Sequence, residues 1–265
     1  MTDTITVITG ASAGIGAALA RLLGARGCKL VLAARRETEL QTLASEIGNG
    51  AIAVAADMTR RGDVERVRDA ALAAFGRIDV WVNNAGQGIS RKVLDLTDED
   101  IDDMMAVNLK SALYGMQAAV PHFKERGTGH LINVSSFLAV LPFATYRSAY
   151  SASKAALNNL TASLRIELLA THPGIHVSVV MPGRVDTAFP LNALHGTPTM
   201  PGGIGAVIQT AEEVAAVIAG VIDEPFPVVC TQPGQPFMAV RYVCDTAAVE
   251  GHLVFGRHPL PPAKQ

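Results

Sequence analysis

Short β-branched segments alternate with helical patterns along the chain, and this alternation restricts the possible fold more than any other feature of the sequence. Strands are predicted near residues 5–9, 29–34, 51–56, 78–83, 130–135, 175–181 and 226–230. Between two of them, apolar residues recur at helical spacing before Gly48, a typical helix stop: Leu40, Leu43, Ala44 and Ile47. Strands that alternate with helices pair in parallel through βαβ units. The sequence therefore predicts an α/β fold with a doubly wound, mainly parallel seven-stranded sheet and helices on both faces.

The composition agrees with a sheet that is covered on both faces. Of the 265 residues, 49% are hydrophobic and 17% are charged, which excludes a disordered chain. No repeat or low-complexity linker divides the sequence, so we expect a single domain over residues 1–265. An irregular stretch at about 188–210 is rich in Pro and Gly but keeps apolar residues. Such a stretch is typical of an apolar lid over a substrate, and an irregular connection with some buried side chains is the alternative.

The charge balance and the cysteines argue against several classes of function. A formal net charge of -2 is too close to zero to attract nucleic acid. Cys28, Cys230 and Cys244 lie far apart and form no CxxC pair, so we expect neither disulfides nor a metal site, and a reducing compartment is favoured. We find no charged leader before an apolar run, and no apolar stretch long enough to span a bilayer. These features predict a cytoplasmic protein without a nucleic-acid partner or a membrane span.

The first predicted strand runs directly into a glycine-rich turn and an apolar helix. The turn has the sequence Thr9-Gly10-Ala11-Ser12-Ala13-Gly14-Ile15-Gly16. Gly10 can adopt backbone angles that are closed to other residues, and Gly16 lets the helix pack close to the sheet. In such a turn, backbone N–H groups can approach a pyrophosphate, whose charge the helix dipole favours. We therefore predict dinucleotide binding on a Rossmann-like fold, with a methyltransferase loop or a purely structural turn as the alternatives.

The glycine spacing, GxxxGxG, is the first of several motifs that follow one another along the chain. Asp57-Met58 comes after the third predicted strand, and Asn83-Asn84-Ala85-Gly86 comes after the fourth. The later motifs are Asn108, Ser136, Tyr150 with Lys154, and Pro182-Gly183 with Val185 and Thr187. Any one of these could arise by chance, whereas the ordered set could not. From Thr9 to Thr187, the chain resembles the classical short-chain dehydrogenases/reductases.

The resemblance implies four catalytic residues: Asn108, Ser136, Tyr150 and Lys154. Reduction of a carbonyl needs a proton on the developing alkoxide, which Tyr150 would supply while Ser136 hydrogen-bonds the same oxygen. Lys154 lies one helical turn after Tyr150, and its charge is expected to lower the tyrosine pKa toward neutrality. Asn108 would hold a water that connects Lys154 to solvent.

Two serines compete for the position beside Tyr150. Ser136 is favoured over Ser135 because it lies three residues after Asn133, as at the N-x-x-S strand end of the family. Its separation from Tyr150, 150 − 136 = 14, is one residue longer than the family spacing. Tyr146 and the apolar residues after Ser136 are predicted to form the wall of a substrate pocket, with a core role as the alternative: Phe137, Leu138, Leu141 and Phe143.

The resemblance also implies the residues that bind the cofactor. They comprise the glycine turn, the segments after the third and fourth strands, the Tyr–Lys pair and the turn after the sixth strand: Gly10, Ser12, Ala13, Gly14, Ile15, Gly16, Asp57, Met58, Asn84, Ala85, Gly86, Tyr150, Lys154, Pro182, Gly183, Val185 and Thr187. The second strand ends at Ala34, where NAD-preferring relatives place a carboxylate for the ribose hydroxyls. Arg35 follows and can meet a 2′-phosphate with two charge-assisted bonds. We therefore expect NADP(H) to be preferred over NAD(H), by roughly 10- to 100-fold.

These motifs predict an NADP(H)-dependent oxidoreductase that transfers hydride between nicotinamide and a ketone, an aldehyde or a secondary alcohol, as a carbonyl reductase does. The apolar pocket residues predict a small apolar substrate. A non-catalytic NADP-binding sensor or scaffold on the same fold is the alternative, against which the intact catalytic set argues. The family usually assembles through the helices that hold Asn108 and Tyr150. Small residues there predict a homodimer or homotetramer: Ala112, Ala118, Ala119, Ala155, Ala156 and Ala162.

Overall fold

A seven-stranded parallel sheet forms the centre of the molecule. The computed structural model describes residues 3–196 and 207–255. In the described part, the strands of this sheet are β1 (Ile5–Thr9), β2 (Lys29–Ala34), β3 (Ile52–Ala55), β4 (Val80–Asn83), β5 (Gly129–Val134), β6 (Ile175–Met181) and β9 (Val228–Cys230). Two further strands, β7 (Val185–Asp186) and β8 (Gln209–Thr210), form a separate pair. The order β3-β2-β1-β4-β5-β6-β9 reverses direction between β1 and β4, which is where doubly wound sheets bind ligands at the carboxyl ends of their strands.

Helices cover both faces of the sheet. They are α1 (Gly14–Ala25), α2 (Glu37–Ile47), α3 (Arg61–Phe75), α4 (Asp98–Met105), α5 (Ser111–Arg126), α6 (Ser148–Leu169), α7 (Ala211–Asp223), α8 (Gln235–Cys244) and α9 (Thr246–Phe255). A π-helical turn, Ala106–Lys110, joins α4 to α5, and 3₁₀ turns occur at Val93–Asp95 and Phe137–Ala139. Within the residues that the structure describes, no helix is both long enough and apolar enough to cross a membrane.

Two apolar cores flank the sheet. One packs α1, α2 and α7 on one face, through residues such as Leu19 and Ile218. The other packs α3, α5 and α6 on the opposite face, around Trp81 and Phe123. Because both faces of the central strands are buried, most of their residues are apolar, and these do not alternate strictly with polar ones. The predicted fold class is confirmed.

The predicted strands agree with the observed ones to within two residues at either end. The helix predicted around Leu40 is α2, and Gly48 ends it with a φ of +65° that favours glycine. Part of the predicted lid, residues 197–206, lies outside the described residues. Before that gap, Leu194 pairs with Ile89 in an isolated parallel bridge, and after it β8 pairs with β7.

Candidate active site

The turn between β1 and α1 is shaped by glycines whose surroundings leave no room for a side chain. Gly10 has a φ of +65°, and a Cβ there would lie 2.8 Å from Ala85 Cα. A Cβ on Gly16 would lie 2.5 Å from the Gly10 carbonyl oxygen. Gly14 also has a positive φ, of +54°. The backbone of the turn therefore lies directly against the segment that follows β4.

The first turn of α1 offers backbone N–H groups to a ligand. Throughout this described turn there is no acidic residue, and its N-cap, Ala13, has no side chain that could accept a hydrogen bond. The first amides of a helix have no partner within the helix, and the helix dipole adds partial positive charge there. The glycine turn and the end of α1 together fit the pyrophosphate of a dinucleotide.

The segments after β3 and β4 both border the glycine turn, and the one after β4 bonds it directly. Asn84 Nδ2 donates to the carbonyl oxygens of Thr9 and Gly10 at 3.0 and 3.2 Å, and the Asn84 N–H donates to Thr9 Oγ1 at 3.0 Å. Asp57 Oδ1 accepts from the N–H and the hydroxyl of Thr59 at 3.0 and 2.7 Å. The amide of Asn84 thus supports the turn, while the remaining predicted residues of these segments line the cavity in front of it: Asp57, Met58, Ala85 and Gly86.

Two exposed arginines follow β2 beside the glycine turn. Arg35 and Arg36 line the same cavity as Ser12. Arg36 bonds the turn directly, because its Nε and Nη2 donate to Ser12 Oγ at 3.1 and 2.9 Å. Sequence reasoning selects only Arg35 for the cofactor. The sequence feature that could have identified Arg36 as well is its position as the second residue of a basic pair at the end of a strand.

Ser136 lies beside the tyrosine, and Ser135 does not. Ser135 Oγ donates to the carbonyl oxygen of Lys154 at 3.3 Å, inside the contact between β5 and α6. Ser136 Oγ accepts the Leu138 N–H at 3.2 Å, and its side chain forms a hydrogen bond with Tyr150. Both serines line the cavity, but Ser136 is the one whose side chain bonds Tyr150.

Tyr150 and Lys154 are both buried at the start of α6. Lys154 Nζ lies 5.9 Å from the centroid of the Tyr150 ring and donates to the Val134 carbonyl at 2.9 Å. Burial raises the pKa of Tyr150 to about 12, although the hydrogen bond with Ser136 and the charge of Arg147 oppose the rise. Burial also lowers the pKa of Lys154 to about 8. The expected lowering of the Tyr150 pKa is therefore wrong for the protein alone, because lost hydration outweighs the attraction of nearby cations.

Asn108 belongs to the π-helical turn between α4 and α5. Its Nδ2 donates to the Gln87 carbonyl at 3.0 Å and to Ser153 Oγ at 3.2 Å, and its Oδ1 accepts the Gln87 N–H at 3.0 Å. Such turns interrupt the regular helix ladder and are frequent at functional sites. A Cβ on Gly86 would lie 3.0 Å from Asn108 Oδ1 and 3.5 Å from Lys154 Nζ. The two side chains therefore approach the same point beside Gly86.

A series of buried hydrogen bonds fixes β4, β5 and α6 relative to one another. Trp81 Nε1 donates to Asn83 Oδ1 at 2.8 Å, and Asn83 Nδ2 donates to Asn133 Oδ1 at 2.9 Å. Asn133 Nδ2 then donates to Thr161 Oγ1 at 2.8 Å. Buried polar networks of this kind specify a single arrangement when their members are paired. This network holds the carboxyl end of β5, and the serine that follows it, against the helix of the catalytic tyrosine candidate.

The turn after β6 contributes another edge of the cavity. Its predicted residues all line that cavity: Pro182, Gly183, Val185 and Thr187. A Cβ on Gly183 would lie 2.7 Å from Gln235 Nε2 and 2.8 Å from Gln232 Nε2, so the turn packs closely on two glutamines. Sequence reasoning missed both glutamines, since they lie about fifty residues further along the chain and belong to no motif.

One cavity joins these parts. Its volume is about 1970 Å³, larger than the roughly 1,000 Å³ of a large ligand pocket, so a dinucleotide and a second molecule can be held together. Of the predicted site residues, Gly16 and Asn108 do not line it. The predicted apolar wall lines it in full: Phe137, Leu138, Leu141, Phe143 and Tyr146. Phe189 adds to that wall, with its ring centroid 5.6 Å from that of Tyr150.

The small residues predicted to face another subunit divide into two groups. Ala112, Ala118 and Ala119 of α5 are buried in the core of the chain itself, because α5 packs closely on the sheet through them. The prediction is wrong for these three residues. On α6, Ala155 is exposed, and Ala156 and Ala162 are half-buried.

Several known proteins are similar to this chain. Residues 4–195 match the family model for short chain dehydrogenases. An uncharacterized oxidoreductase of Bacillus subtilis, YxnA, is 37% identical over 227 residues, which are 84% of this chain and 64% of that protein. The chain thus spans less than two thirds of the length of the Bacillus relative. An uncharacterized oxidoreductase of Staphylococcus aureus is 40% identical over 192 residues, 71% of this chain and 81% of that protein.

Solved structures of dehydrogenases have the same fold as this chain. A short-chain dehydrogenase/reductase from Burkholderia phymatum in complex with NAD has a TM-score of 0.82 at 25% identity, covering 100% of this chain and 99% of that one. An alcohol dehydrogenase from Thermococcus sibiricus complexed with 5-hydroxy-NADP has a TM-score of 0.73 at 29% identity, covering 86% and 94%. The chain belongs to the short-chain dehydrogenase/reductase family of oxidoreductases.

Proposed function

We propose that this protein is an NADP(H)-dependent oxidoreductase that acts on an apolar ketone, aldehyde or secondary alcohol. The observation that carries the proposal is the meeting of Ser136, Tyr150 and Lys154 in the cavity that the glycine turn also lines. Relatives that bind NAD and 5-hydroxy-NADP support a nicotinamide cofactor. When bound, that cofactor would donate or accept the hydride. The protein's own residues would hold the substrate and move the proton.

Tyr150 would be the proton donor in carbonyl reduction. With a pKa of about 12, its phenol is protonated at neutral pH, which is the form that a developing alkoxide needs. Ser136 bonds the phenol and would hold the substrate oxygen beside it. Alcohol oxidation needs the phenolate as the base instead, so its rate is expected to rise with pH. Neutral pH therefore favours the reductive direction.

The substrate class follows from the cavity wall. Apart from the polar groups of Ser136, Arg147 and Lys154, the side chains near the phenol are mainly aromatic or aliphatic, and Phe189 packs edge-on against the Tyr150 ring. An apolar wall stabilises an apolar substrate in proportion to the area that it buries, about 25 cal/mol per Å². A polyol or a sugar would lose hydration there without gaining hydrogen bonds. Residues 188–210 would act as the lid over this part of the cavity.

The preference for NADP(H) rests on the basic pair after β2. Arg35 and Arg36 stand beside Ser12, and the strand ends at Ala34, which offers no carboxylate to a ribose. A guanidinium can hold a 2′-phosphate with charge-assisted bonds. The bond from Arg36 to Ser12 Oγ places a second cation at this position.

We further propose how the chain is organised and where it acts. Residues 1–265 would form one domain, and the protein would act in the cytoplasm as a homodimer or homotetramer. Ile166 and Leu169 of α6 are large, exposed and apolar, and they support association through that helix. Light scattering at micromolar concentration tests the assembly, and a monomer would contradict it.

A cofactor oxidation assay tests the central claim. The purified protein is mixed with NADPH or NADH and a panel of apolar ketones and aldehydes, and absorbance of the reduced nicotinamide is followed. We expect turnover with NADPH and at least one member of the panel. Tight NADPH binding without turnover of any carbonyl, or of alcohols with NADP⁺, would favour the sensor or scaffold and reject the enzyme.

A further inference from the structure

A buried guanidinium stands one helical turn before Tyr150. Arg147 immediately precedes α6, and only 7% of it is exposed. Its Nη1 donates to the Ile89 carbonyl at 3.0 Å, and its Cζ lies 5.4 Å from the centroid of the Tyr146 ring. Arginine is almost never buried without a partner. The position of Arg147 therefore needs an explanation.

No carboxylate in the described ranges, 3–196 and 207–255, forms a salt bridge with Arg147. The remaining segments of the sequence contain neither Asp nor Glu. The nearby acid Asp100 is taken by Arg91 and His195, at 2.9 and 2.6 Å. Among the residues that the structure describes, no carboxylate therefore neutralises the buried charge of Arg147, so its lost hydration is not offset by an ion pair.

The fold makes room for this charge. A Cβ on Gly88 would lie 2.7 Å from Arg147 Nη1 and 3.0 Å from Phe189 Cε1. Any other residue at this position would push the guanidinium or the aromatic ring away. The same loop supplies the Ile89 carbonyl that accepts from the guanidinium. Arg147 is therefore held in place by the Ile89 carbonyl and by the Tyr146 side chain, which also forms a hydrogen bond with the guanidinium.

That charge acts on Tyr150. Arg147 is the N-cap residue of α6, three residues before Tyr150, and both side chains line the same cavity. The charge of Arg147 opposes the burial that raises the pKa of Tyr150. Two other polar groups of the site reach the phenol, Ser136 by a hydrogen bond and Lys154 with Nζ at 5.9 Å from the ring. The exposed Asp103 of α4 lines the same cavity. The other elements packed around Tyr150 present apolar side chains: Ile89, Leu96, Met104, Val107, Leu138, Phe189 and Leu194.

The two cations differ in how they behave as pH rises. Burial lowers the pKa of Lys154 to about 8, so its ammonium loses its charge in the range where a phenol begins to ionise. Burial also lowers the pKa of Arg147, but a guanidinium starts from so high a pKa that it keeps its charge throughout that range. Of the two, Arg147 is the cation that persists when the phenolate forms.

We propose that Arg147 is a positioning residue for proton transfer, a permanent buried cation that stabilises the phenolate of Tyr150. Its link to catalysis rests on the proposed function of Tyr150, but its effect on the phenol does not. The residue does not touch the reacting atoms, and it acts only through the tyrosine.

The test titrates the phenol without any substrate or cofactor. The protein carries difluorotyrosine in place of Tyr150, because ring fluorines make the phenol more acidic and bring its titration within a range that the fold tolerates. Fluorine NMR then gives the midpoint in the wild-type background, in Arg147→Met and in Arg147→Gln. The glutamine variant can keep a hydrogen bond to Ile89 but has no charge. Arg165→Met is the matched control, since Arg165 lies on α6 and, like Arg147, donates to backbone carbonyls, those of Val177 and Pro227.

We expect the midpoint to rise by about one pH unit, or tenfold in the ionisation constant, in both Arg147 variants and to stay unchanged in Arg165→Met. An unchanged midpoint in a folded Arg147→Gln protein would overturn the proposal, even if its melting temperature fell, because a purely structural role moves stability and not ionisation. The titration decides this whether or not a substrate is found. If the enzyme is active, the rising limb of kcat/KM for alcohol oxidation should move by the same amount.

Discussion

The cavity has two walls that are built on opposite principles. The main-chain wall, residues 9–16 and 84–86, consists of turns in which glycine leaves backbone groups uncovered. The side-chain wall consists of Ser136, Arg147, Tyr150 and Lys154, whose polar groups are buried. The first wall is shaped by missing side chains and the second by side chains that have lost their hydration.

Because of this difference, substitutions in the two walls are expected to have different effects. On the main-chain wall, an added methyl group disturbs the fold and the cofactor site together, because the same backbone serves both. On the side-chain wall, burial shifts the pKa values of Tyr150 and Lys154 away from their ordinary range. A substitution there can remove a group needed for proton transfer while it leaves the shape of the cavity intact.

The largest effect is expected on the side-chain wall. Tyr150→Phe removes the proton donor and should lower turnover at least about 100-fold, while NADPH binding stays close to wild type. Steady-state kinetics and NADPH fluorescence titration measure the two quantities. Tyr114→Phe is the control, because Tyr114 lies on α5 under the guanidinium of Arg61, away from the cavity. Near-normal turnover in Tyr150→Phe would reject the proposed mechanism.

The main-chain wall should show the opposite behaviour. Gly10→Ala places a methyl group against Ala85 at a φ of +65°, and it should lower the free energy of unfolding by about 2–3 kcal/mol and NADPH affinity at least tenfold. Gly76→Ala, at the left-handed C-cap of α3, has a similar φ of +73° but meets nothing within 4 Å. It should cost about 1 kcal/mol and leave affinity unchanged. Urea unfolding and NADPH titration compare the pair, and equal losses in both variants would refute the role of close packing.

The pKa of Lys154 predicts a pH-dependent stability. Its pKa is about 8 in the folded protein, below the ordinary 10.5. Between these values the unfolded chain binds more protons, so stability should rise with pH, by about 2 kcal/mol from pH 8 to pH 10. Lys154→Met has no such group and should lack this part of the rise. Urea unfolding of both proteins at the two pH values measures the difference, and identical pH dependence would show that the lysine is not desolvated.

The smallest effect is expected at the edge of the main-chain wall. Arg35→Ser and Arg36→Ser should each lower the ratio of kcat/KM for NADPH to that for NADH by about tenfold, or about 1.4 kcal/mol, through loss of one contact to the 2′-phosphate. Arg21→Ser is the control, since Arg21 is an exposed arginine that pairs with Glu46. A wild-type preference for NADH, or an unchanged ratio in both variants, would contradict the proposed specificity.

The sequence by itself determined the parts of this protein that depend on local conformation. Hydrophobic runs and helical spacing predicted the strands and the fold class, because a strand that is covered on both faces needs apolar residues throughout. The glycines predicted the turn before α1, because positive φ and close backbone approach are open mainly to glycine. The order of the motifs was enough to predict the family.

Only the tertiary structure decided which of these groups meet and how strongly they are buried. It bonded Ser135 to the backbone of α6, paired Arg36 with Ser12 and, among the residues described, gave Arg147 no carboxylate partner, and each outcome depends on segments far apart in the chain. It also reversed the expected direction of the Tyr150 pKa shift. The physical reason is that backbone preference is a property of a few neighbouring residues, whereas lost hydration is the combined effect of every segment that closes around a group.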